Sequence, residues 1–169
     1  MRFSMRPERV FSDYSRISPA YLTERGVRLL LCDLDYTLAP KAQSEPDQRL
    51  RRWLGEMAQG GVTVMILSNN RNPVRVERFC RELGIEYEGH AGKPSAKGFR
   101  RAMARRGVTP EETAMLGDKL LTDMLGAHAA GVLPLMVEPL GGPKGAWNRV
   151  LHLLQRPWKA AVREKCEEA

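Results

Sequence analysis

The chain has 169 residues, of which 43% are hydrophobic and 28% are charged, as expected for one globular domain with a substantial core. Its 27 lysines and arginines outnumber 20 acidic residues, and the net charge of +7 favours anionic partners such as phosphorylated metabolites, acidic lipid surfaces or nucleic acid. The cysteines, Cys32, Cys80 and Cys166, are far apart and form no CxxC pair, which argues against a disulfide framework or a structural zinc site.

The first half of the chain begins with a polar, basic lead-in over residues 1–26, in which the segment SPAYLTERG predicts one short helix. The run VRLLLCD is too short for a helix and predicts a strand buried on both faces. The segment DQRLRRWLGEMAQGG has apolar residues at helical spacing before its two glycines and predicts a helix. VTVMILSNN predicts the next buried strand.

The second half continues this alternation. NPVRVERFCRELG predicts a helix with Asn72 as its cap and Pro73 at its first position. IEYEGHAG indicates a short strand, PSAKGFRRAMARRG a helix and TAMLGD a strand, before a helix in LLTDMLGAHAAG and a last strand in VLPLMVEP. Alternating strands and helices predict an α/β fold of three layers, with a mostly parallel central sheet and helices on both of its faces.

Three of the predicted strands end in polar residues, among them Asp33, Ser68 and Asp118. Taken singly, such residues are ordinary turn formers and helix caps. In a parallel sheet, however, the carboxyl ends of the strands meet at one edge, where binding and catalytic sites form. Their joint occurrence therefore favours an active site at this edge.

Four short motifs follow one another along the chain: Asp33-x-Asp35-x-Thr37, Ser68, Lys93-Pro94 and Gly117-Asp118-x-x-x-x-Asp123. In this order they resemble the motif set of the haloacid dehalogenase superfamily of phosphotransferases, over nearly the whole chain. The resemblance implies a Rossmann-like fold and a Mg²⁺-dependent phosphomonoester hydrolase that works through an aspartyl-phosphate.

The resemblance also implies roles that fit the needs of phosphoryl transfer, namely a nucleophile, charge neutralisation and a proton for the leaving group. Asp33 would be the nucleophile, and Asp35 the general acid and base. The carboxylates of Asp33 and Asp118 and the backbone carbonyl of Asp35 would hold Mg²⁺. Asp123 would either join the metal shell or orient Lys93, and these alternatives stay open.

The remaining motif residues would bind the substrate. Ser68 and the backbone N–H of Asn69 would contact the phosphoryl oxygens, and Lys93 would offset the charge that develops during transfer. Lys93 is preferred to Lys97 because it directly precedes a proline, as in the family. Thr37 would position the general acid.

The intervals between the motifs are short. A loop, one helix and one strand fill the chain between Asp33 and Ser68, and a helix and a short strand fill the chain between Ser68 and Lys93. No cap domain fits in either interval, so we expect an open site. An open site suits a macromolecular or membrane-borne phosphate, or a small substrate that a neighbouring subunit covers.

A closer resemblance lies outside the four motifs. The lead-in, SNN with Arg71 soon after, and GDKLLTDMLGAHAAG followed by Pro139 and Leu140 look like the YqeG-type subfamily of subclass IIIA, a relative of the phosphatidylglycerophosphate phosphatases. The lead-in residues that carry this likeness are Pro7, Ser15, Ile17, Leu22 and Gly26. Tyr36 departs from the subfamily, in which asparagine is commoner, and could alter the loop after the first strand.

The resemblance implies phosphatidylglycerophosphate as the substrate, with phosphatidylglycerol as the product. Two alternatives remain: a phosphatase for a soluble phosphorylated metabolite, and a scaffold of this fold that binds RNA or a ribosomal partner. Two groups of arginines are either solvated helix faces or a surface for anionic lipid or RNA. These groups are Arg75, Arg78 and Arg81 on one helix, and Arg100, Arg101, Arg105 and Arg106 on another.

Residues 145–169 predict an amphipathic helical tail that carries Trp147 and Trp158 and is kinked or divided at Pro157. The tail either packs on its own domain or lies in a membrane interface. No apolar run is long enough to span a membrane, and the first residues lack the apolar stretch of a secretory signal. We therefore expect a single domain over residues 1–169 that is cytoplasmic, with peripheral contact to the inner membrane face as an alternative. The oligomeric state stays open.

Overall fold

The computed structural model describes residues 4–70 and 73–141, and a parallel sheet lies at its centre. Its strands are β1 (Arg9–Phe11), β2 (Leu29–Cys32), β3 (Thr63–Leu67), β4 (Tyr87–Glu88), β5 (Thr113–Gly117) and β6 (Leu133–Val137). Its α-helices are α1 (Pro19–Thr23), α2 (Gln48–Gln59), α3 (Pro73–Leu83), α4 (Lys97–Arg106) and α5 (Leu125–Ala130). A π-helical turn over Leu120–Met124 leads directly into α5. Across the sheet the strand order is β1-β6-β5-β2-β3-β4.

The register of the central strands aligns their carboxyl ends. Cys32 at the end of β2 pairs with Ile66 of β3 and with Leu116 of β5, and all three strands run in the same direction. The next residue, Asp33, continues the ladder, since its N–H donates to the carbonyl oxygen of Leu116 at 2.9 Å. The polar residues that follow these strands are therefore brought to one edge of the sheet, as the sequence predicts.

Different helices cover the two faces of the sheet. On one face, Leu30 of β2 belongs to the same buried cluster as Trp53 of α2 and residues of α1 and α3. On the other face, Leu31 of β2 packs with Phe99 of α4 and with residues of α5. Because neighbouring residues of β2 point to opposite faces, both must be apolar, which explains the run of leucines. The prediction of a three-layer α/β fold with a parallel sheet is confirmed.

The lead-in contains more structure than the sequence indicates. The predicted short helix is present as α1, and the Ser18 side chain caps it by accepting a hydrogen bond from the Tyr21 N–H at 3.2 Å. The strand β1 was missed by the prediction, although it pairs in parallel with β6 at the edge of the sheet. Three residues give too short a pattern to reveal a strand when its partner lies at the far end of the domain.

Several predictions concern parts of the chain outside the described residues. These are the cap at Asn72, the likeness at Arg71, and the helical tail over residues 145–169. Within residues 4–70 and 73–141, no domain is inserted between the strands as a cap over the sheet edge. In the same part of the chain, no helix combines the length and apolar character needed to cross a membrane.

Candidate active site

Asp33 directly follows β2, and its carboxylate lies between two lysines. Lys93 Nζ is 2.9 Å from Asp33 Oδ1, and Lys119 Nζ is 3.6 Å from Asp33 Oδ2. Burial by itself would raise the pKa of this carboxyl group, but the charges of Lys93 and Lys119 outweigh it and hold the pKa below its usual value. The two lysines therefore favour the ionised form of this buried carboxylate, which is the form that a nucleophile requires.

Two further buried carboxylates lie close to Asp33. One carboxylate oxygen from each of Asp33, Asp118 and Asp123 lies within 4.8 Å of the other two. Burial raises the pKa of Asp118 to about 6, with the charges of Asp123 and Asp33 adding to it and Lys119 opposing. Burial likewise raises the pKa of Asp123 against the charge of Lys93. Such crowded oxygen donors are the ligands that a hard divalent cation prefers, so these residues fit a divalent metal.

Lys93 is the central cation of the site. Only 2% of its side chain is exposed, and its Nζ lies 2.7 Å from Asp123 Oδ1 in addition to its contact with Asp33. Burial would lower the pKa of Lys93, but the charges of Asp123 and Asp33 outweigh it and raise the pKa. The side chain of Asn69 makes two hydrogen bonds to the backbone of Lys93. Its Nδ2 donates to the Lys93 carbonyl oxygen, and its Oδ1 accepts from the Lys93 N–H, each at 2.9 Å.

Ser68 and Thr37 also lie at this edge of the sheet, and both are buried. The Ser68 hydroxyl oxygen accepts a hydrogen bond from the Asn70 N–H at 3.0 Å. The Thr37 hydroxyl donates to Asp118 Oδ1 at 3.4 Å, so its partner in this structure is a candidate metal ligand. The fold thus gathers all four sequence motifs into one site.

The carboxylate of Asp35 is held by residues that follow β3. Its Oδ1 pairs with Arg75, and its Oδ2 accepts a hydrogen bond from the Asn70 side chain at 3.0 Å. Sequence reasoning placed Arg75 only on a basic helix face and assigned no site role to Asn70 or Lys119. For Lys119 a signal was present, because it comes directly after Asp118 in the fourth motif.

The backbone at Tyr36 adopts a conformation that is unusual for a residue with a large side chain. Tyr36 has a φ of +66°, in the left-handed region that asparagine tolerates better than most other residues. This conformation lets the Tyr36 N–H donate to Ala39 and its carbonyl accept from Leu140, both at 2.8 Å. The Tyr36 ring lies near the site, with Lys119 Nζ 5.9 Å from its centroid. The departure from the subfamily therefore concerns loop conformation and the rim of the site.

Gly117, which ends β5, leaves room for Asp123. A Cβ atom at position 117 would overlap the carboxylate group of Asp123. We expect Gly117→Ala to lower the free energy of unfolding by about 1–3 kcal/mol, as overpacking does in other cores. Urea denaturation measures this change, with Gly55→Ala as the matched control. Gly55 lies in α2, where a new Cβ would have no atom within 4 Å apart from its chain neighbours and the backbone of its own helix, so its replacement should leave stability unchanged or higher. Equal stability of the two variants would contradict the steric account.

Many arginines of the two basic helices pair with glutamates of their own chain. Arg101 and Arg105 both pair with the buried Glu88 at 2.7 Å. Arg78 pairs with Glu45 at 2.7 Å. Arginines of both groups are therefore ion-paired within the chain, whereas the sequence suggested solvated helix faces or a surface for anionic lipid or RNA.

Comparison with known proteins shows the family of this chain. A family model described as haloacid dehalogenase-like hydrolase matches residues 13–131. The chain is also 34% identical over 159 residues to the Probable phosphatase YqeG of Bacillus subtilis, an alignment that covers 94% of this chain and 92% of that protein. The predicted resemblance to this superfamily and to YqeG is therefore confirmed.

Solved structures show the same fold. A subfamily III A hydrolase of the haloacid dehalogenase superfamily from Legionella pneumophila matches with a TM-score of 0.51 and 20% identity, over 84% of this chain and 89% of that one. The cobalt-bound deoxy-D-mannose-octulosonate 8-phosphate phosphatase of Haemophilus influenzae matches with a TM-score of 0.50 and 20% identity, over 80% of this chain and 91% of that one. The chain belongs to the haloacid dehalogenase-like hydrolases, and the predicted type of enzyme, a phosphoric monoester hydrolase, is confirmed.

Proposed function

We propose that this phosphatase depends on Mg²⁺ and transfers the phosphoryl group of its substrate to Asp33 before water releases it. The observation that carries the proposal is the buried carboxylate of Asp33, which lies beside two other buried carboxylates and the buried Lys93. A carboxylate at this position can attack phosphorus, and its neighbours can neutralise the charge of a phosphate group.

The carboxylates of Asp33 and Asp118 and the backbone carbonyl of Asp35 would hold the cation. Asp123 would either bind the cation directly or orient Lys93 through the ion pair between these two residues. A bound Mg²⁺ would offset the repulsion between the nucleophilic carboxylate and the phosphate dianion.

The chain's own residues then account for both half-reactions. A carboxylate oxygen of Asp33 bonds to phosphorus while the bond from phosphorus to the leaving oxygen breaks, and Asp35 gives that oxygen its proton. Water next attacks the aspartyl-phosphate and loses a proton to Asp35, which regenerates the Asp33 carboxylate and releases inorganic phosphate. Ser68, the Asn69 N–H and Lys93 would bind the phosphoryl oxygens throughout, with Thr37 supporting the loop.

As the substrate we propose phosphatidylglycerophosphate, which would be converted to phosphatidylglycerol at a membrane surface. Three features support this choice: the YqeG-type resemblance, the lack of a cap domain within the described residues, and the net charge of +7. A site without a cap can reach a phosphate that stands on a membrane, and a basic protein is drawn to anionic lipid.

The experiment is a substrate panel with the full chain and Mg²⁺. It compares phosphatidylglycerophosphate in anionic vesicles with glycerol 3-phosphate, sugar phosphates and nucleotides. We expect the highest kcat/KM for the lipid. We also expect EDTA to abolish turnover and added Mg²⁺ to restore it. A clear preference for a soluble phosphate would reject the lipid substrate, and full activity in EDTA would reject the metal requirement.

A further inference from the structure

Arg75, in the first turn of α3, joins this helix to the loop that carries Asp35. Its Nη1 pairs with Asp35 Oδ1, and its Nη2 donates to the backbone carbonyl oxygens of Gln43 at 3.1 Å and of Pro40 at 3.5 Å. Only 17% of the Arg75 side chain and 18% of the Asp35 side chain are exposed. A planar guanidinium that binds several acceptors in this way fixes their relative positions as well as contributing energy.

The second oxygen of Asp35 is held from the same part of the chain. The Asn70 side chain donates to Asp35 Oδ2 at 3.0 Å, while the Asn70 N–H donates to the Ser68 hydroxyl oxygen. Both oxygens of the Asp35 carboxylate thus accept hydrogen bonds from residues that follow β3. The orientation of Asp35 is therefore set across two segments of the site, from outside its own loop.

We propose that Arg75 is a positioning residue of the phosphatase reaction, which holds the Asp35 carboxylate in line with the leaving oxygen of the substrate. The inference rests on the proposed role of Asp35 as the general acid. Proton transfer needs heavy atoms within about 2.6–3.2 Å of each other. A misplacement of about 1 Å can slow a reaction on the order of 10²-fold. Loss of the Arg75 contacts would let both the side chain and the loop move by such amounts.

The test uses substrates that differ in their need for a proton. A p-nitrophenolate leaves phosphorus without one, whereas the alkoxide of glycerol 3-phosphate requires one. We expect Arg75→Met to lower kcat/KM for glycerol 3-phosphate by about 10–100-fold, and to change kcat/KM for p-nitrophenyl phosphate far less. Arg75→Lys keeps the charge and should recover part of the loss. Arg78→Met is the matched control on the same helix, since Arg78 is more than half exposed and pairs with Glu45, and it should resemble the unmodified enzyme.

A double-mutant cycle separates this inference from the proposed function. If Arg75 acts through Asp35, the variant with both Asp35→Asn and Arg75→Met should be no slower than Asp35→Asn alone. Unchanged kcat/KM for glycerol 3-phosphate in Asp35→Asn would overturn the general acid itself. Two outcomes would overturn only the role of Arg75, provided that Asp35→Asn itself is slow. One is that the losses in kcat/KM from Asp35→Asn and Arg75→Met add up in the double variant. The other is that Arg75→Met loses as much kcat/KM for p-nitrophenyl phosphate as for glycerol 3-phosphate. Should Arg75→Met fail to fold in a thermal melt, Arg75→Lys provides the same comparison.

Discussion

Replacing Asp33 by Asn is expected to slow hydrolysis of p-nitrophenyl phosphate by roughly 10⁴-fold or more, the scale seen when other hydrolases lose a covalent nucleophile. The amide is isosteric with the carboxylate but is uncharged and therefore a far weaker nucleophile toward phosphorus. It also removes one of the three carboxylates of the acidic cluster. Turnover by the purified variant, measured as nitrophenolate release under saturating Mg²⁺, checks the expectation.

Asp47→Asn is the matched control for this change. Asp47 caps α2 by accepting a hydrogen bond from the Leu50 N–H at 2.8 Å, and asparagine caps helices about as well as aspartate. This variant should keep full activity and stability. An Asp33→Asn protein with undiminished activity, free of contaminating phosphatase, would remove Asp33 from the role of nucleophile.

Replacing Lys93 by Met should impair both folding and turnover. The Lys93 ammonium is buried between the carboxylates of Asp33 and Asp123, so its removal leaves Asp123 without this ion pair and Asp33 with only the more distant Lys119. Breaking a buried ion pair from one side typically costs about 3–5 kcal/mol of unfolding free energy. We expect a loss of that size in urea denaturation without metal, and a smaller loss in saturating Mg²⁺ because a ligand of the native state stabilises it. Turnover per folded molecule should fall by about 10²–10³-fold, as when other enzymes lose a group that stabilises the transition state.

Lys97→Met is the matched control, which removes the same charge from an exposed position. It tests whether the loss of stability and turnover depends on the position of the lysine or only on the charge of the protein. Lys97 begins α4 and is exposed, so its loss should leave both stability and kcat/KM close to those of the unmodified enzyme. If Lys93→Met unfolds at the same urea concentration as Lys97→Met, the ion pairs of Lys93 are not important for stability. If the two variants also turn over equally fast, Lys93 does not stabilise the transition state.

The apolar strands show what the sequence can reveal about this fold. β2, β3 and β5 are buried on both faces, so each is a short apolar run whose end is marked by a polar residue such as Asp33 or Ser68. The parallel direction of these strands follows from the alternation with helices, and their shared edge locates the site. β1 lacked such a signal, because its position depends on β6, which lies more than a hundred residues further along the chain.

The contacts between side chains of the site could not be predicted from the sequence. The motif residues could be named because their spacing resembles a family. Arg75 and Asn70, in contrast, meet Asp35 only because α3 and the segment after β3 lie against the loop after β2. From the sequence, Arg75 looked like one member of a basic helix face. The sign of φ at Tyr36 was equally hidden, since nothing in the residue itself favours the left-handed conformation. The catalytic and metal-binding roles stay predictions until they are tested.

The most direct test of the mechanism is to look for the phosphoryl group on the enzyme. The full chain would be mixed with Mg²⁺ and p-nitrophenyl phosphate, whose leaving group needs no proton from Asp35, and then quenched in acid during turnover, digested at low pH and analysed by mass spectrometry. We expect a phosphorylated peptide with the modification at Asp33, a larger amount of it in Asp35→Asn because water is no longer activated, and none in Asp33→Asn. A phosphoryl group on another residue, or turnover without any phosphorylated peptide in either the unmodified enzyme or Asp35→Asn, would contradict the aspartyl-phosphate mechanism.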